Sequence, residues 1–218
     1  MTANKFPNTN TTPRGQLCIW TAVDPEHELD FNRWYDREHM QERVAIPGFQ
    51  SARRFRAIDA CPRPYLALYD TDDLSVFTSE PYRKAFANQT EWSLRNFARM
   101  QGTQRRVGQL VVEAGAGEGG MLALFVVPAG GFDTASLRTL LAAAAGRDHV
   151  IRASLLQTDA ALSTPLSASA VPAPADALVM IEATRADAAR SEASAVADAL
   201  QRPRHDVFVF QTLWRLGA

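Results

Sequence analysis

Two rhythms of apolar and polar residues alternate along this chain, and their order is its first informative feature. Residues 16–24, "QLCIWTAVD", follow the period-two spacing of a strand; residues 29–46 follow the 3–4 spacing of a helix, which Pro47-Gly48 stops. "SARRFRAI" alternates small or apolar residues with arginines, which predicts a strand with one wet face. "RPYLALYDTDD" predicts the next strand, after a turn at Pro62 and Pro64. Residues 79–100 read as helical with Pro81 in the first turn, and "RRVGQLVVEA" closes the unit as a strand. The order is β-α-β-β-α-β.

After the glycine-rich "GAGEGG" at 115–120 the order returns. "MLALFVVPA" is a predicted strand, and "DTASLRTLLAAAAG" a helix with Asp133 or Thr134 as N-cap and Gly146 as C-cap. "VIRASLLQTD" and "DALVMIEATR" are strands, "DAARSEASAVADAL" a helix and "DVFVFQTLWRLGA" the final strand. One such unit is a ferredoxin-like half, a four-stranded antiparallel sheet with two helices on one face. The alternation in "MLALFVV" and "DVFVFQTLW" offers apolar side chains to both faces, so the bare face of each sheet needs a cover. The expected fold is therefore α+β: two ferredoxin-like repeats, 16–112 and 121–218, joined by a linker at 113–120. They pack sheet to sheet as a dimeric α/β-barrel within one chain, and two independent domains on a linker are the alternative. Residues 1–15 read as a disordered lead-in. The Ser/Ala/Pro-rich stretch 159–176 reads as a surface loop or a lid.

Bulk properties narrow the function more than they define it. The 218 residues are 46% hydrophobic and 22% charged with a net charge of -1, without the basic footprint of a nucleic-acid binder. No apolar run approaches the ~20 residues of a membrane span, and no secretory pattern opens the chain, so a cytoplasmic protein is expected. The two cysteines, Cys18 and Cys61, form no CxxC pair. Phosphate loops, a nucleophile elbow and HExxH-type metal spacings do not occur, so no metal or cofactor is implied.

Chemistry concentrates in the first half, which holds all four tyrosines and three of the four tryptophans. On the first helix Tyr35, His39 and Arg43 form an i, i+4, i+8 row at the border of the apolar stripe, beside Trp34. Arg53, Arg54 and Arg56 follow, then Tyr65 and Tyr69, with Trp92 on the second helix. Together they would make a cleft with aromatic walls, cationic donors and one group titrating near neutrality. His39 and Tyr35 are the candidate catalytic pair; Trp34, Arg43, Arg53, Tyr65, Tyr69 and Trp92 are candidate substrate contacts. The plainer alternatives are a His39 bonded to a carbonyl or to Glu42, and a Trp34 and Tyr35 that only fill the core.

The segment "FNRWYDREHMQERVAIPGFQSARRFRA", followed by "RPYLALYDTDD", resembles the EthD-like proteins of the dimeric α/β-barrel superfamily. The resemblance covers about 16–112, and the second half matches in element order alone. It implies a pocket between sheet and helices for a hydrophobic, often aromatic, small molecule, with His39 as the family histidine. It also implies an activity of the superfamily's cofactor-independent kind: monooxygenase, isomerase or dehydratase. A non-catalytic ligand-binding or stress-response protein is the second reading. A haem protein with His39, His149 or His205 as axial ligand is the third. A small-molecule ligand is the expected partner, and a homodimer stays open.

Overall fold

The structure is a computed structural model that describes residues 13–164 and 173–217. The expectations for residues 1–12 and 165–172 lie outside the described residues.

Eight strands carry the fold: β1 (Gly15–Val23), β2 (Phe49–Ala57), β3 (Tyr65–Thr71), β4 (Met100–Gly115), β5 (Met121–Pro128), β6 (Val150–Thr158), β7 (Asp176–Ala183) and β8 (Phe208–Gly217). They close into one antiparallel barrel in the order β1-β3-β2-β8-β5-β7-β6-β4. The two halves of the chain contribute β4-β1-β3-β2 and β8-β5-β7-β6, which is the same order of strands in each. They meet at two seams: β2 pairs with β8 from Ser51↔Gly217 to Ala57↔Phe210, and β4 pairs with β6 from Gly108↔Thr158 to Gly115↔Arg152. Closure removes every exposed sheet edge.

Strand alternation then sorts side chains into an inside and an outside. On β1, Cys18 and Trp20 face the barrel interior with Phe55, Leu68, Leu124 and Phe210, while Leu17 and Ile19 face the helices. Several interior positions carry ion pairs. Arg53 on β2 and Arg152 on β6 both donate to the Glu182 carboxylate on β7, and Arg106 does so to Asp176.

Over the first half runs a helical stretch formed by α1 (Glu28–Trp34), a π-helical turn (Tyr35–His39) and α2 (Met40–Val44). It ends before Gly48, whose φ of +92° and position, with a Cβ site 2.5 Å from Val76 Cγ2, admit only glycine. Then come α3 (Glu80–Ala87) and α4 (Glu91–Arg99). The second half is covered by α5 (Thr134–Ala145) and α7 (Ala186–Ala199), with a short α6 (Ala160–Ser163) between them in sequence. The buried alanines Ala144, Ala189, Ala193 and Ala197 let α5 and α7 lie close on the sheet, and Phe125, Leu137, Leu141 and Val179 fill the space beneath.

Three expectations need correction. The 79–100 helix is two helices, because Asn88 leaves helical geometry and the Thr90 hydroxyl caps α4 at Ser93. Strand β4 starts at Met100 and runs through Gly115, so part of the predicted linker is strand. The wet face of β2 is confined to its ends, Gln50 and Arg56: Arg53 and Arg54 are 2% and 1% exposed, since Arg53 faces the closed barrel interior and the first helix covers Arg54.

Candidate functional site

A cavity of about 340 Å³ lies between the first-half helices and the sheet. Leu17 and Ile19 of β1, Tyr69 of β3, and Thr103 and Arg105 of β4 line its sheet side. Tyr35 and His39 of the π-helical turn and Arg43 of α2 line the opposite wall, with Tyr82 and Phe86 of α3 and Phe97 of α4 closing the flank.

The π-helical turn sets this wall. The Met40 N–H donates to the Tyr35 carbonyl five residues back, which widens the helix by one residue per turn. Trp34, Tyr35 and His39 are all turned inward as a result. The His39 ring lies 4.3 Å from Trp34 and 5.2 Å from Tyr35, centroid to centroid. Beneath Tyr35, the Arg54 guanidinium sits 4.0 Å from the ring centroid and donates to Asp36 and Asn32, tying β2 to the turn.

Among the described residues three polar atoms on this cavity are buried without a hydrogen bond of good geometry: His39 Nδ1, Arg43 Nε and the Tyr69 hydroxyl, the last lying near the Tyr35 hydroxyl. Their residues are 6%, 6% and 1% exposed. Such atoms cost about 1–3 kcal/mol each when nothing bonds them, and native proteins carry few. Burial, with Arg43 and Arg54 nearby, pushes the His39 pKa well below its usual 6.5, so the ring is neutral at pH 7. Burial also raises Tyr69 well above 10 and raises Tyr35, so both phenols keep their protons.

This has a consequence for stability. A histidine whose folded pKa lies below its unfolded value lets the unfolded chain bind more protons. Its contribution is intact above about pH 6.5 and is lost as pH falls from there toward the folded pKa. Replacing the ring by His39→Gln is expected to flatten the acid limb of a stability–pH curve between pH 6 and 5, by up to about 1.4 kcal/mol per pH unit. Urea titrations of both proteins across that range check this.

The structure gathers Tyr35, His39, Arg43 and Tyr69 of the expected set and separates the rest. Trp34 lies behind His39 at 0% exposure, its Nε1 donating to Ser93 Oγ. Arg53, expected at the cleft, points into the barrel: neighbours on a strand face opposite sides, so Arg54 takes the helix side and Arg53 the interior. Tyr65 belongs to a neighbouring cleft with Asn32, Arg56 and Trp214, and donates to Glu28. Trp92 donates to Asp30 outside the cavity. His149 and His205, the other histidines named for the haem reading, are both exposed and lie away from this cavity. Tyr82, Phe86, Phe97, Thr103 and Arg105 were not expected. They come from α3, α4 and β4, and only the fold brings them to the first helix.

A wider groove of about 610 Å³ runs along α7. Its charges are already matched within the protein: Asp187 to Arg185, Arg190 to Asp59 and Asp198 to Arg204. It therefore has less to offer a ligand than the smaller cavity. Among the described residues no group of three His, Cys, Asp or Glu side chains could hold a metal ion, and no helix is long and apolar enough to cross a membrane.

Similar architectures exist among solved structures. An anthrone oxidase-like protein superposes with a TM-score of 0.64 at 12% identity, over 96% of this chain and 94% of that one. A putative monooxygenase from Lactobacillus acidophilus gives 0.56 at 8% identity over 94% and 96%. A chlorite dismutase from Candidatus Nitrospira defluvii gives 0.53 at 12% over 94% and 92%. The fold is that of the dimeric α/β-barrel proteins. No family model matches the sequence, and neither does any curated protein.

Proposed function

We propose that this chain is an EthD-like dimeric α/β-barrel protein built from two ferredoxin-like repeats, 16–112 and 121–218, and that its first repeat carries a small-molecule site. It acts as a cofactor-independent enzyme on a hydrophobic or aromatic compound. The matching strand order of the two halves supports the repeat reading. The function rests on one observation: a cavity walled mainly by aliphatic and aromatic side chains presents the unpartnered His39 Nδ1, Arg43 Nε and Tyr69 hydroxyl together. A ligand with one polar end and an apolar body would supply those partners and cover Leu17, Ile19 and Phe97.

Monooxygenation, isomerisation and dehydration of such compounds share a first step, removal of a proton from an acidic C–H or O–H. Neutral His39 takes that proton, and the Tyr69 hydroxyl and Arg43 stabilise the oxyanion left on the substrate. In the empty site the ring is a weak base, because burial and two guanidiniums oppose its charge. The oxyanion formed beside it offsets those guanidiniums, so the ring's basicity rises as the proton arrives. Tyr35, held by Arg54, fixes the ring from the side.

The depressed pKa of His39 is also the observation that favours a second reading, a protein that holds the ligand without turning it over. A panel of phenolic and polycyclic aromatic compounds, assayed for binding and for conversion, separates the two. Under the enzyme reading His39→Gln lowers turnover about a hundredfold with binding largely kept. Binding without conversion by the wild type contradicts it.

A further inference from the structure

The cavity's charge is unbalanced. Its lining contains two guanidiniums, Arg43 and Arg105, and no carboxylate. Arg43 is buried with its Nε free, and the carboxylate recorded near it is that of Glu42, 3.6 Å from NH2 and itself one-third exposed. That pair is long and partly open to solvent, which screens it. Arg105 donates to neutral groups, the Tyr82 hydroxyl at 3.1 Å and the Leu162 carbonyl. The other guanidinium near the site, Arg54, is matched by Asp36 at 3.2 Å. Arg43 thus has one long, partly exposed ion pair and Arg105 has neutral acceptors, so the cavity itself is left with an excess of positive charge.

We propose that the site is built for an organic anion, an apolar ring body whose negatively charged oxygen sits among Arg43 Nε, the Tyr69 hydroxyl and His39. This deepens the functional reading above and rests on it. A single oxygen suits the geometry because Arg43 Nε and the Tyr69 hydroxyl each offer one donor, on two side chains and not as a fork on one, with the His39 ring beside them. Tyr69 and Arg105 stand on strands either side of β1, with Tyr69 opposite Leu17 and Arg105 opposite Ile19. Their backbones are therefore about 10 Å apart across the sheet, and about 7 Å further along it. The charged end of the ligand lies at Arg43 and Tyr69, and Arg105 gives the far end of the ring body a second cationic contact. Both a carboxylate and an ionised phenol or enol have the required chemistry.

The test uses 2-naphthoate, its neutral isostere 2-naphthamide and the titrating phenol 4-nitrophenol, with binding followed by calorimetry at pH 7 and moderate salt. The wild type is expected to bind naphthoate at least tenfold more tightly than naphthamide. Arg43→Met is expected to erase that preference while still binding the amide, and Arg43→Lys, which keeps the charge, to retain most of it. An acidity of bound 4-nitrophenol raised by about one pKa unit, equal to a tenfold preference for its anion, extends the site to phenolates. Preference for naphthoate alone assigns it to carboxylates. Equal binding of acid and amide, or Met and Lys variants that behave alike, overturns the anion proposal and leaves the cavity as a ligand site. Failure of all three probes to bind the wild type overturns both.

Discussion

Glu182→Ala is expected to destabilise the folded chain by about 3–5 kcal/mol, the cost of stripping a buried ion pair of one partner. Glu182 is 1% exposed and accepts from Arg53 at 2.8 and 3.2 Å, from Arg152 Nε at 3.1 Å and from the Gly119 N–H at 3.0 Å. Burial alone would raise its pKa, but Arg53 and Arg152 outweigh that and hold it below the usual 4.5. Arg53 comes from the first half of the chain and Glu182 and Arg152 from the second, so the group ties the two halves across the barrel. Removing the carboxylate leaves two guanidiniums facing each other in the interior. The same closure predicts that the wild type melts in a single calorimetric transition, since neither half keeps a covered sheet face alone. Denaturant unfolding reads the first effect. A Glu182→Ala protein as stable as the wild type, or a wild type with two separate transitions, would show that the barrel does not depend on this tie.

Trp34→Ala carries the other large effect, a loss of about 3–5 kcal/mol from the cavity left by a buried indole. Trp34 is 0% exposed and touches Tyr35, His39 and Phe97 at centroid distances of 4.7, 4.3 and 5.2 Å. Its loss also removes the Nε1–H that Ser93 Oγ accepts at 3.0 Å, leaving that hydroxyl with Glu38 alone. The expected signature is a lower denaturant midpoint with an unchanged slope. Ligand binding should weaken in step, because Trp34 is the backing against which His39 is placed. A change under 1 kcal/mol would mean that α1 is more loosely seated than its aromatic contacts indicate.

The strands and most helices were legible because their periodicities are local: two in "MLALFVV", 3–4 across the first helix, caps at Asp133 and Gly146. Half of the cavity was legible for the same reason, since Tyr35, His39 and Arg43 share one helix side whatever the helix packs against. What was not legible depends on tertiary closure. Arg53 and Arg54 obey the same alternation, but which of them meets the helix is decided by how β2 docks between β3 and β8. The break at Asn88 brings Tyr82 and Phe97 to the cavity from two helices where one was read. The π-helical turn has no sequence signature here. Its residues match an ordinary helical repeat, and the extra width appears only once Trp34, Tyr35 and His39 must all be accommodated on the inward side.

The central claim is that the first-half cavity, and no other surface of the barrel, receives the ligand. A crystal structure of the protein soaked with 2-naphthoate tests it directly. The account predicts density for the ring system between Ile19 and Phe97, with its carboxylate within hydrogen-bond distance of Arg43 and Tyr69 and beside the His39 ring. A probe seated instead in the groove along α7 or in the cleft at Trp214, with the cavity closed by its own side chains, would contradict it.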